Sequence, residues 1–193
     1  PAHPHPRRAP TTMHNVEFKA ELRDVALARG IARAIGATHT ETLDQTDTYF
    51  RVPHGRLKKR ESIDATSGQR HPTQFIFYDR ANIARPKLSN YTIYSEDEAR
   101  QRFGVRPMPI RVVVQKRREV WISGFTRIHL DEVESLGAFL ECEALVSQKQ
   151  TVVQCRARND EVRKAFMPVL GEPIAVSYAD MLELDATDDA PAQ

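Results

Sequence analysis

Val16-Glu17-Phe18-Lys19-Ala20-Glu21-Leu22 alternates without a break: Glu17, Lys19 and Glu21 take the odd positions, and apolar side chains take the even ones. Successive side chains of an extended chain point to opposite faces, so this is a strand with one charged and one apolar face. The same phase recurs downstream. Arg56, Lys58 and Arg60 share one side of their segment, as do Tyr78 and Arg80, then Lys116 and Arg118. Arg127, His129 and Asp131 follow, and then Glu141 and Glu143. Ile128 and Leu130, and Leu140, Cys142 and Ala144, form apolar backs. Lys59, Arg117 and Glu119 break the pattern.

A sheet with one face in water explains any one of these strands. It explains the set less well, because solvated faces mix in Ser, Thr and Gln, whereas these are almost wholly Arg, Lys, Glu and Asp. Helices laid on the apolar backs would turn the charged faces inward, around a wet cavity. The chain supplies such helices. Asp24 can cap one that runs to about Ile35 and stops at Gly36, Ser95-Glu96-Asp97-Glu98 matches a capping box, and a third helix is expected over 159–169. Short connections such as Pro53-His54-Gly55 and Ser123-Gly124 join neighbouring strands as hairpins. The expected fold is α+β, an antiparallel β-barrel or strongly curved sheet with helices packed outside it.

The 193 residues carry Lys+Arg 28 against Asp+Glu 26, a formal net charge of +2. That balance argues against a generally basic nucleic-acid binder. A hydrophobic content of 40% supports a core. No apolar run is long enough for a membrane helix. Cys142 and Cys155 are too few for a disulfide framework, and a reducing, cytoplasmic setting is expected. Residues 1–12 and 185–193 read as disordered tails around one domain, 13–184.

Buried like charges repel unless a ligand or ion compensates. A cavity lined by both cationic and carboxylate clusters therefore calls for an anion and a metal cation together. A polyphosphate with a divalent cation meets both needs: Arg and Lys make charge-assisted bonds to phosphate oxygens, and Mg²⁺ or Mn²⁺ takes carboxylate and phosphate oxygens. Glu141-x-Glu143 puts two carboxylates on one strand face, about 7 Å apart by strand rise, and Glu17 can approach from a neighbouring strand. His129 has two readings, a near-neutral proton acceptor or phosphate donor, and a partner of Asp131 or Glu141 that orders the lining. The second is the simpler. Packing is the default for Tyr78, Tyr178 and Trp121.

These residues resemble the CYTH domain, the triphosphate tunnel metalloenzymes. Asn15-x-Glu17-x-Lys19 is similar to the family's ExExK opening. Asp47 to Glu61, Val112 to Trp121, Thr126 to Gly137, Phe139 to Glu143 and Ser177 to Leu182 resemble, in order, segments of its class IV adenylyl cyclase branch. The resemblance implies an eight-stranded antiparallel tunnel that binds triphosphates with Mg²⁺ or Mn²⁺. It implies metal binding by Glu17, Glu141 and Glu143, with Asp131 as a further ligand. It implies phosphate binding by Lys19, Lys58, Arg60, Arg80, Lys116, Arg118 and Arg127. Arg56 shares their face and is expected at the tunnel mouth, and Lys87 is a weaker candidate. Catalysis would fall to Glu17, Lys19, Glu141 and Glu143. Asn15 departs from the signature: an amide oxygen can ligate a metal but brings no charge.

The leading expectation is a metal-dependent enzyme that converts ATP to cyclic AMP and pyrophosphate. The alternatives are a triphosphatase acting on inorganic triphosphate, thiamine triphosphate or a nucleotide, and a non-catalytic polyphosphate or nucleotide sensor. The expected partner is a triphosphate small molecule, with no nucleic acid and no membrane, in a monomer or homodimer. The carboxylates would repel a nucleic-acid backbone.

Overall fold

The computed structural model describes residues 11–79 and 87–188. Arg80 lies outside them, as do 1–10 and 189–193 of the expected tails. Nine strands form one sheet: β1 (Thr11–Leu22), β2 (Thr38–Phe50), β3 (Arg56–Asp64), β4 (Gln74–Asp79), β5 (Lys87–Tyr94), β6 (Ile110–Ser123), β7 (Thr126–Val133), β8 (Gly137–Leu145) and β9 (Leu170–Pro173). Their order is β5-β4-β3-β2-β6-β7-β8-β1-β9, and β5 also pairs with β1. That last pairing closes eight strands into an antiparallel barrel. β1 makes it possible by being long: Asn15 to Glu21 pair with β8 on one edge, while Thr11 to Glu17 pair with β5 on the other. β9 continues the β5 edge beside Ala20 and Leu22. β2 bends through register shifts at His39/Glu41 and Tyr49/Phe50, which give the curvature that closure requires.

Four helices complete the described residues: α1 (Val25–Ala34), α2 (Glu96–Phe103), α3 (Val152–Phe166) and α4 (Tyr178–Asp188). Asp24 caps α1 by accepting from the Leu27 amide at 2.8 Å, and Ser95 and Glu98 form the expected capping box on α2. α3 starts earlier than its apolar pattern suggests, because Thr151 and Gln154 make a second capping box; a 3-10 turn, Met167–Val169, replaces the expected last turn at Pro168. α4 runs through Asp188, four residues into the stretch expected to be a tail, and β1 begins at Thr11.

α1 and α3 cover the apolar backs. Phe18, Ala20, Leu22, Ile128, Leu130, Leu140 and Cys142 form one buried cluster with Ala28, Ala32, Val162 and Phe166. Each large apolar side chain so buried stabilises the fold by about 1.5–3 kcal/mol. Asn159 of α3 donates to the Val16 carbonyl at 2.8 Å and ties that helix to β1. With their apolar sides occupied, the charged sides of β1, β7 and β8 face the barrel interior. A second cluster fills one end of the barrel, where Tyr178 and Ala179 of α4 pack on Tyr49, Ile76, Tyr78, Val114, Val133 and Phe139. Among the described residues, no helix is long and apolar enough to cross a membrane.

Candidate functional site

The barrel encloses a cavity of about 530 Å³ whose wall includes Asn15, Glu17, Lys19, Lys58, Arg60, Lys116, Arg118, Arg127, His129, Glu141 and Glu143. They come from β1, β3, β6, β7 and β8, and meet because strands of period two in antiparallel register keep one parity inside all the way round.

One part of the wall is a buried ion cluster. Asp47 of β2 accepts from Arg60 Nε and Nη2, both at 2.7 Å, and from Lys58 Nζ at 2.8 Å. Asp131 of β7 accepts from Arg118 Nε and Nη2, both at 2.6 Å, and from the Tyr178 hydroxyl at 2.9 Å. Lys116 stands between the two carboxylates, 3.8 Å from Asp47 and 3.7 Å from Asp131. Burial, and then the neighbouring Arg60, bring the Lys58 ammonium down to about 8. Burial and Arg118 bring Lys116 down to about 7. Burial opposes ionisation of Asp47, yet Arg60 and Lys58 outweigh it and hold that carboxyl well below the usual range. The cluster is thus rich in cations whose charge is only partly compensated, which is a favourable setting for a polyanion.

The carboxylates gather beside it. Register sets Glu17 directly opposite Glu143, Lys19 opposite Glu141, His129 opposite Glu141 and Arg127 opposite Glu143. Like charges facing across adjacent strands destabilise the pair. Ligand atoms of His129, Glu141 and Glu143 all lie within 4.8 Å of one another. Glu141 also accepts from Arg118 Nη2 at 2.6 Å, so Arg118 bridges the two parts of the site. Among the described residues, three buried polar atoms of the cavity wall make no full hydrogen bond, Asn15 Oδ1, Gln45 Oε1 and His129 Nδ1. Opposed carboxylates and orphaned donor atoms around one space fit a divalent cation.

A model of the CYTH domain matches residues 13–164. The chain belongs to the CYTH domain family. Comparison with curated protein sequences returned no significant match. Among solved structures, the PH1819 protein from Pyrococcus horikoshii is 19% identical, with a TM-score of 0.64 over 89% of this chain and 99% of that one. The PH1012 protein from the same organism is 17% identical, with a TM-score of 0.64 over 86% of this chain and 98% of that one. A Vibrio parahaemolyticus protein described as a “putative adenylate cyclase” is 15% identical, with a TM-score of 0.64 over 89% of this chain and 98% of that one. At these identities the likeness is one of fold.

Within the CYTH barrel, Glu17, Lys19, Lys58, Arg60, Lys116, Arg118, Arg127, Glu141 and Glu143 all reach the cavity wall. Arg56 does not line the cavity; it donates to Asp180 of α4 at 2.9 Å and helps hold that helix. Asp131 is fully buried behind the wall, with both oxygens taken by Arg118 and one shared with Tyr178. His129 partners Glu141, as one of its two readings expected: its Nδ1 stands 3.7 Å from Glu141 Oε2, an ion-pair contact longer than a standard hydrogen bond. Tyr178, expected only to pack, has its ring 4.2 Å from Lys19 Nζ and 5.2 Å from Lys116 Nζ, as well as its bond to Asp131. Asp47 was missed among the candidates. Its signal was the odd-position series Leu43, Gln45, Asp47, Tyr49, which the intervening threonines obscure.

Proposed function

We propose that this CYTH barrel is a metal-dependent enzyme acting on a triphosphate, of the class IV adenylyl cyclase type, with ATP as substrate and cyclic AMP and pyrophosphate as products. One observation carries the reading: a cation cluster and a carboxylate cluster share one barrel cavity and are joined through Arg118, which contacts both Asp131 and Glu141. A sensor needs the cations; the neighbouring cluster of Glu17, Glu141 and Glu143 favours chemistry on the bound phosphates.

In this reading Lys19, Lys58, Arg60, Lys116 and Arg118 bind the phosphoryl oxygens, and Arg127 adds a further cation beside Glu143. Glu17, Glu141 and Glu143 would hold Mg²⁺ or Mn²⁺, which supplies charge neutralisation and lowers the pKa of an attacking hydroxyl. Lys58 and Lys116 take up protons as anionic oxygens arrive, because the negative charge of the polyanion favours the ammonium form and offsets the burial that depresses it. Arg118, fixed by Asp131, presents a preorganised donor to charge developing on the transferred phosphoryl group. Tyr178 closes one end of the barrel and excludes water there. The 3′-hydroxyl oxygen of ATP attacks the α-phosphorus and gives its proton to solvent water, while the bond from the α-phosphorus to the bridging oxygen breaks and the β,γ-phosphates leave as pyrophosphate.

The test is product analysis after incubation with ATP, tripolyphosphate or thiamine triphosphate and Mg²⁺ or Mn²⁺. Cyclic AMP with pyrophosphate supports the cyclase. Released orthophosphate replaces it with a triphosphatase, and saturable binding without turnover replaces it with a sensor.

A further inference from the structure

We propose that His129 Nδ1 is itself a ligand of the divalent cation, which makes the site a mixed nitrogen and oxygen centre that selects Mn²⁺ over Mg²⁺. The inference rests on the reading that the carboxylate cluster binds a metal, and it adds a ligand and a selectivity that the resemblance does not imply.

Two independent observations support it. The first is convergence: His129 on β7 and Glu141 and Glu143 on β8 bring three ligand atoms within 4.8 Å of one another, a spacing that one ion can bridge. The second is the state of the imidazole. His129 is only 5% exposed, and among the described residues its Nδ1 makes no full hydrogen bond: Glu141 Oε2 meets it at 3.7 Å, an ion-pair distance. A buried polar atom left unpaired costs about 1–3 kcal/mol, and such atoms call for a specific explanation. Register supplies one. His129 lies opposite Glu141, whose second neighbour on β1 is Lys19, while Arg118 already bonds Oε2 of the same carboxylate. Arg118 bonds Glu141 Oε2 at 2.6 Å, whereas His129 Nδ1 reaches the same oxygen only at 3.7 Å, so the imidazole keeps capacity for a further partner beside Glu141 and Glu143.

The chemistry follows from ligand type. Carboxylate and phosphate oxygens suit Mg²⁺ and Mn²⁺ alike, whereas an imidazole nitrogen favours the later transition metals. One nitrogen among oxygens tilts the balance to Mn²⁺ without excluding Mg²⁺.

The direct test is pulsed EPR on the full wild-type chain loaded with MnCl₂, which reads nitrogen coupling at the metal and needs no variant. A ¹⁴N coupling is expected, and a Mn²⁺ signal without it overturns the proposal. In parallel, Mn²⁺ and Mg²⁺ affinities are measured by calorimetry for wild type, H129N and H129Q, with melting curves to confirm folding. Loss of a direct ligand should weaken Mn²⁺ by at least the roughly tenfold that loss of an outer-shell partner costs, and Mg²⁺, which takes nitrogen poorly, by less. Unchanged Mn²⁺ affinity, or equal loss for both metals, overturns the proposal. Failure of wild type to bind Mn²⁺ sinks both this inference and the metal-dependent reading. Mn²⁺ bound without nitrogen coupling sinks this inference alone, and nitrogen coupling in a protein that neither binds nor turns over triphosphates sinks the enzyme reading alone.

Discussion

Arg60 grips Asp47 with two parallel hydrogen bonds, Nε to Oδ1 and Nη2 to Oδ2, each 2.7 Å long. The pair lies across β2 and β3, where Asp47 and Arg60 are register partners, and Lys58 completes the contact from the same strand. Fork-to-fork geometry fixes the guanidinium in place. It also leaves Asp47, at 1% exposure, as the internal counter-ion that a polyphosphate has to share or displace.

Asp47→Asn removes that counter-ion and leaves Lys58, Arg60 and Lys116 facing one another. Breaking such a buried pair costs about 3–5 kcal/mol. The expected result is a clear drop in urea or thermal midpoint. Added tripolyphosphate should restore more stability to the variant than it adds to wild type. Equal ligand-induced shifts in the two proteins would remove Asp47 from the phosphate site.

Glu17 and Glu143 oppose each other across β1 and β8. Glu143→Gln relieves that repulsion but also gives up the attraction of Arg127, its partner on β7; the two terms, each about 0.2–1 kcal/mol, offset, so in a chelator the variant should match wild type closely. In MnCl₂ wild type should become the more stable, because it gains more from metal binding. Melting curves with and without the metal check both halves.

The Lys58 ammonium, brought down to about 8 from an ordinary 10.5 by burial and by Arg60, has a definite pH signature. Between those values the unfolded chain holds a proton that the folded chain has released. This group's penalty on the native state is therefore full below about 8 and is relieved as pH rises towards 10.5. Polyphosphate binding restores the proton. Affinity for tripolyphosphate should accordingly fall as pH rises above about 8, with net proton uptake on binding. Calorimetry in buffers of different ionisation heat measures the uptake, and Lys58→Met should reduce it.

α4 is latched by Asp180, which accepts from Arg56 at 2.9 Å and from Arg111 at 2.7 Å. Asp180→Asn weakens both charge-assisted bonds, and a loss of about 1–3 kcal/mol is expected. Hydrogen exchange should speed first in α4, ahead of the barrel strands. Uniform acceleration across all strands would show that the latch acts on global stability instead.

Most of the barrel was legible in the residues because its signal is local. Alternation at Val16–Leu22 needs only the two-residue period of a strand, and the capping boxes need only a four-residue window. β5 escaped because Lys87–Tyr94 is mostly polar, with no clean apolar face. The first half of β2 escaped because Thr38–Thr46 mixes threonine with charge. α4 escaped because its fixing contacts, Asp180 to Arg56 and Arg111, cross 124 and 69 residues. Asp47 was hidden for a related reason: nothing local tells a strand aspartate in water from one clamped by two cations.

The sequence alone determined which side chains share a face, since strand periodicity is built into the backbone, and the family motifs could be matched on that footing. Tertiary structure decided which way each face points and which charges meet. Closure of β1 on β5 and burial of the apolar backs under α1 and α3 are long-range events, driven by removing apolar surface from water. Only after them do Glu17 and Glu143 stand opposed, Arg118 reach both Asp131 and Glu141, and His129 come within ion-pair distance of Glu141.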